Sequence, residues 1–221
     1  MKFDQLLAAV VHDLKNQLQS LLDFEQDALS RIPQRYHSEL QPILQRTNRL
    51  KNDSLQLITL YKFKDSGLDQ SARFPMDDAW PRDTISDAIE ATSLQFPSIR
   101  FINNADDDCQ GFYSETLVQL ALVTLITNAA QAGATEITLN ADDTQGELMI
   151  EVRDNGPGFA DDVLDGHTSS TKQGPSGLGL YFVELIAAHH QQGENRGRID
   201  ISNRHTTSQQ VCGAQVRLHL P

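Results

Sequence analysis

The sequence predicts an α+β fold in two parts, and three observations predict it. Apolar residues recur at helical spacing through the N-terminal stretch. A polar segment, Lys64 to Ala72 around Gly67, then reads as a linker. Beyond it, short alternating stretches and apolar helical stretches follow one another, punctuated by glycine and proline. Residues 1–64 are expected to form an antiparallel helical hairpin. Residues 73–221 are expected to form an α/β sandwich, an antiparallel or mixed sheet with helices on one face.

In the first part, Phe3, Leu6, Leu7, Val10, Leu14, Leu18, Leu21, Leu22 and Leu29 form one stripe, and Pro33 ends it. A second stripe runs through Leu40, Ile43, Leu44, Leu50, Leu57 and Ile58. Ser38 with Gln41 resembles a capping box, and Pro42 is tolerated only in a first turn. Two such helices cannot bury their stripes alone. A second copy remedies this, giving a four-helix bundle in a homodimer.

In the second part, helices are expected over Trp80–Gln95, Thr116–Ala132 and Gly177–His190. Strands are expected at Ile99–Asn103, Gly111–Tyr113, Glu136–Asn140 and Glu147–Arg153, with a final hairpin of Arg198–Ser202 and Gln210–His219.

The composition narrows the function. Over 221 residues, 39% are hydrophobic and 22% charged, as in an ordinary globular protein. A net charge of −12 with no basic cluster argues against nucleic acid and against an anionic membrane surface. The two cysteines, Cys109 and Cys212, are far apart and suit a reducing cytoplasm. The run Leu117 to Ile126 is broken by Gln119 and falls far short of the roughly 20 residues of a membrane span. No signal peptide is read at the N-terminus.

The chemistry lies in four places. Asp154-Asn155-Gly156-Pro157-Gly158-Phe159 follows a predicted strand. A carboxylate at Asp154 can accept a hydrogen bond from an exocyclic amine such as that of adenine. Gly177-Leu178-Gly179 opens a helix, whose free N–H groups and positive dipole end suit phosphate. Asn128 sits inside an apolar helix, where a buried amide needs a bonding partner and its carbonyl oxygen suits Mg²⁺. His12 falls off the apolar stripe, with Asp13 beside it to accept Nδ1–H and leave Nε2 as nucleophile. Asp106-Asp107-Asp108 reads as a solvated loop. His189-His190 reads as a pair whose imidazolium complements a helix C-terminus.

These motifs together resemble a bacterial sensor histidine kinase core: a phosphoacceptor hairpin followed by a Bergerat-type ATP-binding domain, as in gyrase, Hsp90 and MutL. His12-Asp13-Leu14-Lys15-Asn16 matches the phosphoacceptor box, and Thr127-Asn128-Ala129-Ala130 the core of the Asn box. The two glycine segments match the glycine boxes. Thr171-Lys172 matches a Thr-Thr-Lys variant of a short-lidded subgroup.

The resemblance implies a cytoplasmic two-component kinase with ATP and Mg²⁺ as cofactors. His12 takes the γ-phosphoryl group, Asp13 orients it and Asn16 positions a water for dephosphorylating the partner. Asn128 holds Mg²⁺, and Asp154 reads adenine. Gly156, Gly158, Gly177, Leu178 and Gly179 shape the nucleotide site, and Lys172 meets the terminal phosphates. The implied partners are a response regulator receiver domain, a second copy of the chain and a separate sensor protein.

Three positions depart from the pattern. Thr124 stands where the family has an Asn or an acidic residue, Gln17 replaces a proline, and Ala160 to Gln173 lacks the family's aromatic lid segment. Thr124 keeps an alternative open: a histidine phosphotransferase with a kinase-like fold and weak or no ATP use. A binding module or serine kinase like the anti-sigma factors is opposed by the N-terminal hairpin.

Overall fold

The computed structural model describes residues 74–144, 146–164 and 178–221, together with isolated positions between 16 and 56. The chain divides into two compact units, Met1–Leu68 and Asp69–Pro221.

In the first unit, Asn16, Gln17, Ser20, Leu21, Asp23, Phe24, Asp27, Ala28 and Arg31 are helical, as are Ile43, Arg46, Thr47, Leu50, Ser54 and Gln56. Thr47 and Ser54 turn their hydroxyls back onto the carbonyls of Ile43 and Leu50, at 3.2 and 2.7 Å, as these side chains do inside a helix. Leu21, Ile43 and Leu50 belong to the apolar stripes, yet in the single chain they are 46%, 52% and 55% exposed. The arrangement of the expected hairpin, with Pro33 and Pro42, lies outside the described residues.

The second unit is built on a five-stranded mixed sheet. Its strands are β2 (Arg100–Asn103), β4 (Glu136–Thr144), β5 (Glu147–Asp154), β8 (Arg198–His205) and β9 (Val211–Leu220), in the order β2-β4-β5-β9-β8. Only β2 and β4 run parallel; the other neighbours are antiparallel. A separate ribbon pairs β1 (Asp77–Ala79) with β3 (Gly111–Tyr113), and β6 (Gln191–Gln192) with β7 (Asn195–Arg196) makes a small hairpin.

The helices are α1 (Pro81–Ser93), α2 (Glu115–Gln131), the single turn α3 (Asp161–Leu164) and α4 (Leu178–His189). Trp80 caps α1 from outside the core, and Pro81 opens it with a φ suited to a first turn. α2 packs between α1 and α4. Its Leu117, Val118, Ala121, Leu122, Leu125 and Ile126 are therefore buried around several faces.

Along β5, Leu148, Ile150 and Val152 alternate into this core with Ile137 and Leu139 of β4 and Val216 and Leu218 of β9. The opposite face of the sheet is polar. There Glu151 is sealed to 1% exposure by Arg153 at 2.5 Å, Arg217 at 2.9 Å and Asn140 at 3.0 Å. Two guanidinium groups and an amide thus offset the cost of burying this side chain.

In the second unit the expected helices and core strands form, within a few residues at their ends. β1, the single turn α3 and the β6–β7 hairpin lie outside the expectation, because elements this short carry little periodicity to read. β4 runs on to Thr144, since its pairing with β5 continues to the turn.

Candidate nucleotide-binding site

The site is assembled at the C-terminal ends of β5 and α2 and the start of α4. Asp154 is the last residue of β5 and is 8% exposed. Its Oδ1 accepts two backbone N–H bonds, from Gly156 at 2.7 Å and from Ala214 of β9 at 3.2 Å. The carboxylate is thus held in one orientation, and Oδ2 makes no hydrogen bond with another described residue. A fixed acceptor oxygen of this kind suits a ligand amine.

Asn155 anchors the same loop to the other side. Its Oδ1 accepts from the N–H groups of Thr135 and Glu136 at 2.9 and 3.0 Å, and its Nδ2 donates to Thr135 Oγ1 at 2.9 Å. Thr135 is brought there by the end of α2. Gly133, at φ +94°, and Ala134 return their N–H groups to Ala130 and Ala129, at 3.1 Å each, and close the helix in a Schellman motif. Gly158 takes φ +82°, a conformation that favours glycine.

Asn128 occupies the last turns of α2. The sequence predicts a buried amide; the side chain is instead exposed and makes no hydrogen bond with another described residue. The reason is its neighbour. Asn128 faces the first turn of α4, where Gly179 offers no side chain to cover it. A Cβ on Gly179 would lie 2.9 Å from Asn128 Nδ2 and 3.4 Å from the Thr124 methyl. Thr124 itself is buried, and its hydroxyl donates to the Leu120 carbonyl at 2.8 Å. The open amide of Asn128 fits a Mg²⁺ ligand. Among the described residues no cluster of three or more His, Cys, Asp or Glu side chains is placed to hold a metal. Mg²⁺ commonly keeps phosphate oxygens and waters as its other ligands, so a single side-chain oxygen would suit it.

The far ends of α2 and α4 are joined by His190. Its Nε2 accepts from the Ser114 N–H at 3.1 Å, and its Nδ1–H donates to the Ile186 carbonyl at 2.8 Å. Burial pushes its pKa down to about 4, and burial also lowers that of His189. Both rings are neutral at pH 7. The expectation of an imidazolium at the helix end is corrected: loss of solvation outweighs the dipole.

The structure sets Gly179 against Asn128, and Gly156 against Asp154 and against Ala134 just past the end of α2, while Gly158 lies against Asn203 and Val211; Leu178 is the first residue of α4. Asn16 is helical and exposed in the other unit. His12, Asp13, Lys172 and Gly177 lie outside the described residues. Asn155, Asn203, Arg204 and His190 were not read as site residues. Asn155 stood inside the first glycine box, and that was its only signal.

This fixed carboxylate and glycine turn agree with the family comparison, which matches residues 113–221 to the "Histidine kinase-, DNA gyrase B-, and HSP90-like ATPase" model. Residues 113–221 are thus similar to the ATP-binding domain of that family. The whole chain resembles a sensor histidine kinase core. It is 24% identical, over 97% of its length, to the tetrathionate sensor histidine kinase TtrS of Salmonella typhimurium. It is 29% identical, over 69% of its length, to the signal transduction histidine-protein kinase AfsQ2 of Streptomyces coelicolor. The chain spans 37% and 28% of those relatives. Full-length ShkA, solved in complex with AMPPNP, shares the fold over 98% of this chain and 45% of its own, with a TM-score of 0.65 at 16% identity. Within residues 113–221, the tie between Asp154 and Ala214 joins the first glycine box to the last strand.

Proposed function

We propose that the chain is the kinase core of a two-component system, which autophosphorylates His12 from Mg·ATP and passes the phosphoryl group to an aspartate of a response regulator receiver domain. The observation that carries the reading is Asp154, with Oδ1 pinned by two backbone N–H groups and Oδ2 without a hydrogen-bond partner among the described residues.

In this reading Asp154 takes the adenine amine, and the helix start at Leu178 and Gly179, after Gly177, receives the phosphates. Asn128 holds Mg²⁺, which neutralises phosphate charge when bound. Lys172 adds charge at the terminal phosphates. In the other unit His12 is the nucleophile, Asp13 keeps its Nδ1 protonated and Asn16 orients a water for dephosphorylation of the regulator. The protein's share is positioning and charge stabilisation, because phosphoryl transfer asks for little else.

A homodimer is supported by the exposed stripe residues Leu21, Ile43 and Leu50, which a second copy would cover. The cytoplasm is the setting this chemistry needs, with ATP and a receiver domain at hand. Among the described residues no helix is long and apolar enough to cross a membrane. The input arrives through a separate sensor protein or a further segment.

The second reading, a phosphotransferase with weak or no ATP use, is favoured by Thr124, whose hydroxyl is engaged by the Leu120 carbonyl. One experiment separates the two. The protein is incubated with γ-labelled ATP and Mg²⁺ beside His12→Gln and Asn128→Ala variants. Acid-labile label on the wild type alone supports the kinase. No label and no calorimetric ATP binding supports the phosphotransferase, and label on the His12 variant rejects the assigned acceptor.

A further inference from the structure

We propose that Asn203, on the edge strand β8, is a positioning residue of the adenine site, clasping the far end of the loop whose near end holds Asp154. The proposal rests on the reading that Asp154 binds the base of ATP.

The clasp has two points. Asn203 Oδ1 accepts from the Phe159 N–H at 2.6 Å, and Asn203 Nδ2 donates to the Phe159 carbonyl at 2.9 Å. The pair of partners settles which way the amide is turned. The side chain thereby imitates one hydrogen-bonded pair of an antiparallel ladder, giving the loop a strand partner where the sheet has ended. The ladder itself makes room for this. The β8–β9 register shifts between Asn203 and His205.

The same cross-strand pair governs both ends of the loop. Asn203 lies opposite Ala214 in the register. Ala214 N–H holds Asp154 Oδ1 at 3.2 Å, while the Asn203 side chain holds Phe159. The next residue, Arg204, donates to the Asp154 carbonyl at 3.0 Å. Between the two anchors Gly158 passes so close that a Cβ on it would stand 2.7 Å from Asn203 Oδ1 and 2.6 Å from Val211. The loop from 154 to 159 is therefore a closed bracket keyed to one pair of residues. Releasing Asn203 frees the exit of the bracket, and the direction of Asp154 Oδ2 loses its definition.

The readout is base discrimination, which general destabilisation does not move. ITP has a carbonyl where ATP has the amine that Asp154 would accept. Calorimetric affinities for Mg·ATP and Mg·ITP are measured on the full chain for wild type, Asn203→Ala, Asn203→Asp and Asn203→Ser, each with a thermal melt. The wild type is expected to prefer ATP by on the order of tenfold or more, the worth of one hydrogen bond to a charged group. Asn203→Ala is expected to bring the ATP-to-ITP ratio towards one, chiefly by weakening ATP. Asn203→Asp loses the donor to Phe159 and does the same. Asn203→Ser, whose shorter hydroxyl can reach Phe159 with at most one of the two bonds, gives a ratio between those of the wild type and Asn203→Ala. An unchanged ratio in Asn203→Ser together with either other folded variant overturns the proposal, as does equal weakening of both nucleotides. A wild type that binds neither nucleotide, or both alike, instead rejects the ATP reading or the base-reading role of Asp154.

Discussion

His190 Nε2 accepts the backbone N–H of Ser114 at 3.1 Å, so the residue that follows α4 is tied to the residue that caps α2. The ring is 1% exposed, and its pKa is lowered to about 4 by burial. An unfolded histidine binds its proton near pH 6.5. Between those values the unfolded chain holds more protons than the folded one, so stability rises with pH across that window and is lost as the pH falls. The contribution is full above about pH 6.5 and is lost by about pH 4, up to about 3 kcal/mol in all. Urea unfolding at a series of pH values checks this. His190→Ala should flatten the slope in that window. It should also cost about 1–3 kcal/mol at pH 7, because the Ser114 N–H is left buried and unpaired.

Gly179→Ala should separate binding from stability. Alanine favours a helix over glycine by about 0.8–1 kcal/mol. The new methyl would meet Asn128 Nδ2 at 2.9 Å, and that flexible amide must move aside. Thermal stability is expected to hold or rise, while Mg·ATP affinity drops on the order of tenfold, roughly one hydrogen bond's worth. Calorimetry beside a thermal melt checks both signs.

Asp154→Asn keeps an oxygen for the Gly156 and Ala214 N–H groups and places an amide nitrogen where Oδ2 stood. A donor then faces the adenine amine. ATP affinity should fall by roughly tenfold to a hundredfold. Titration of the variant with ATP and ITP should show the preference abolished or reversed.

Thr124→Asn should raise turnover. The Thr124 hydroxyl donates to Leu120, whereas an amide at the same place, one turn before Asn128 on α2, offers a carbonyl oxygen towards the metal side. Initial rates of acid-labile labelling at limiting Mg²⁺ are expected to increase several-fold, with about 1 kcal/mol at stake in the added contact. A lower rate with an intact fold would show that Thr124 is tuned to this site.

Much of the fold was legible because its signals are local. The apolar helix around Leu122 and the alternation of Leu148, Ile150 and Val152 each announce their own period. Asp154, Gly156, Gly158 and Gly179 were legible as motifs. Asn203 was not, because its role depends on a partner forty-four positions away. His190 was read with the wrong charge, since a helix-end rule sees the dipole and not the burial. Asn128 was read as buried because its sequence neighbours are apolar; the glycine that leaves it open arrives from another helix.

By itself the sequence determined the elements, the order of the motifs and the residue types available for a nucleotide, since these rest on periodicity and on side-chain chemistry within short windows. The tertiary structure alone decided which atoms remain for a ligand. How Asp154 Oδ1 is held, what faces Asn128, and whether His190 is neutral are outcomes of contacts between β5, β8, β9, α2 and α4. Desolvation and hydrogen-bond geometry act through space, and no local window of the chain encodes them.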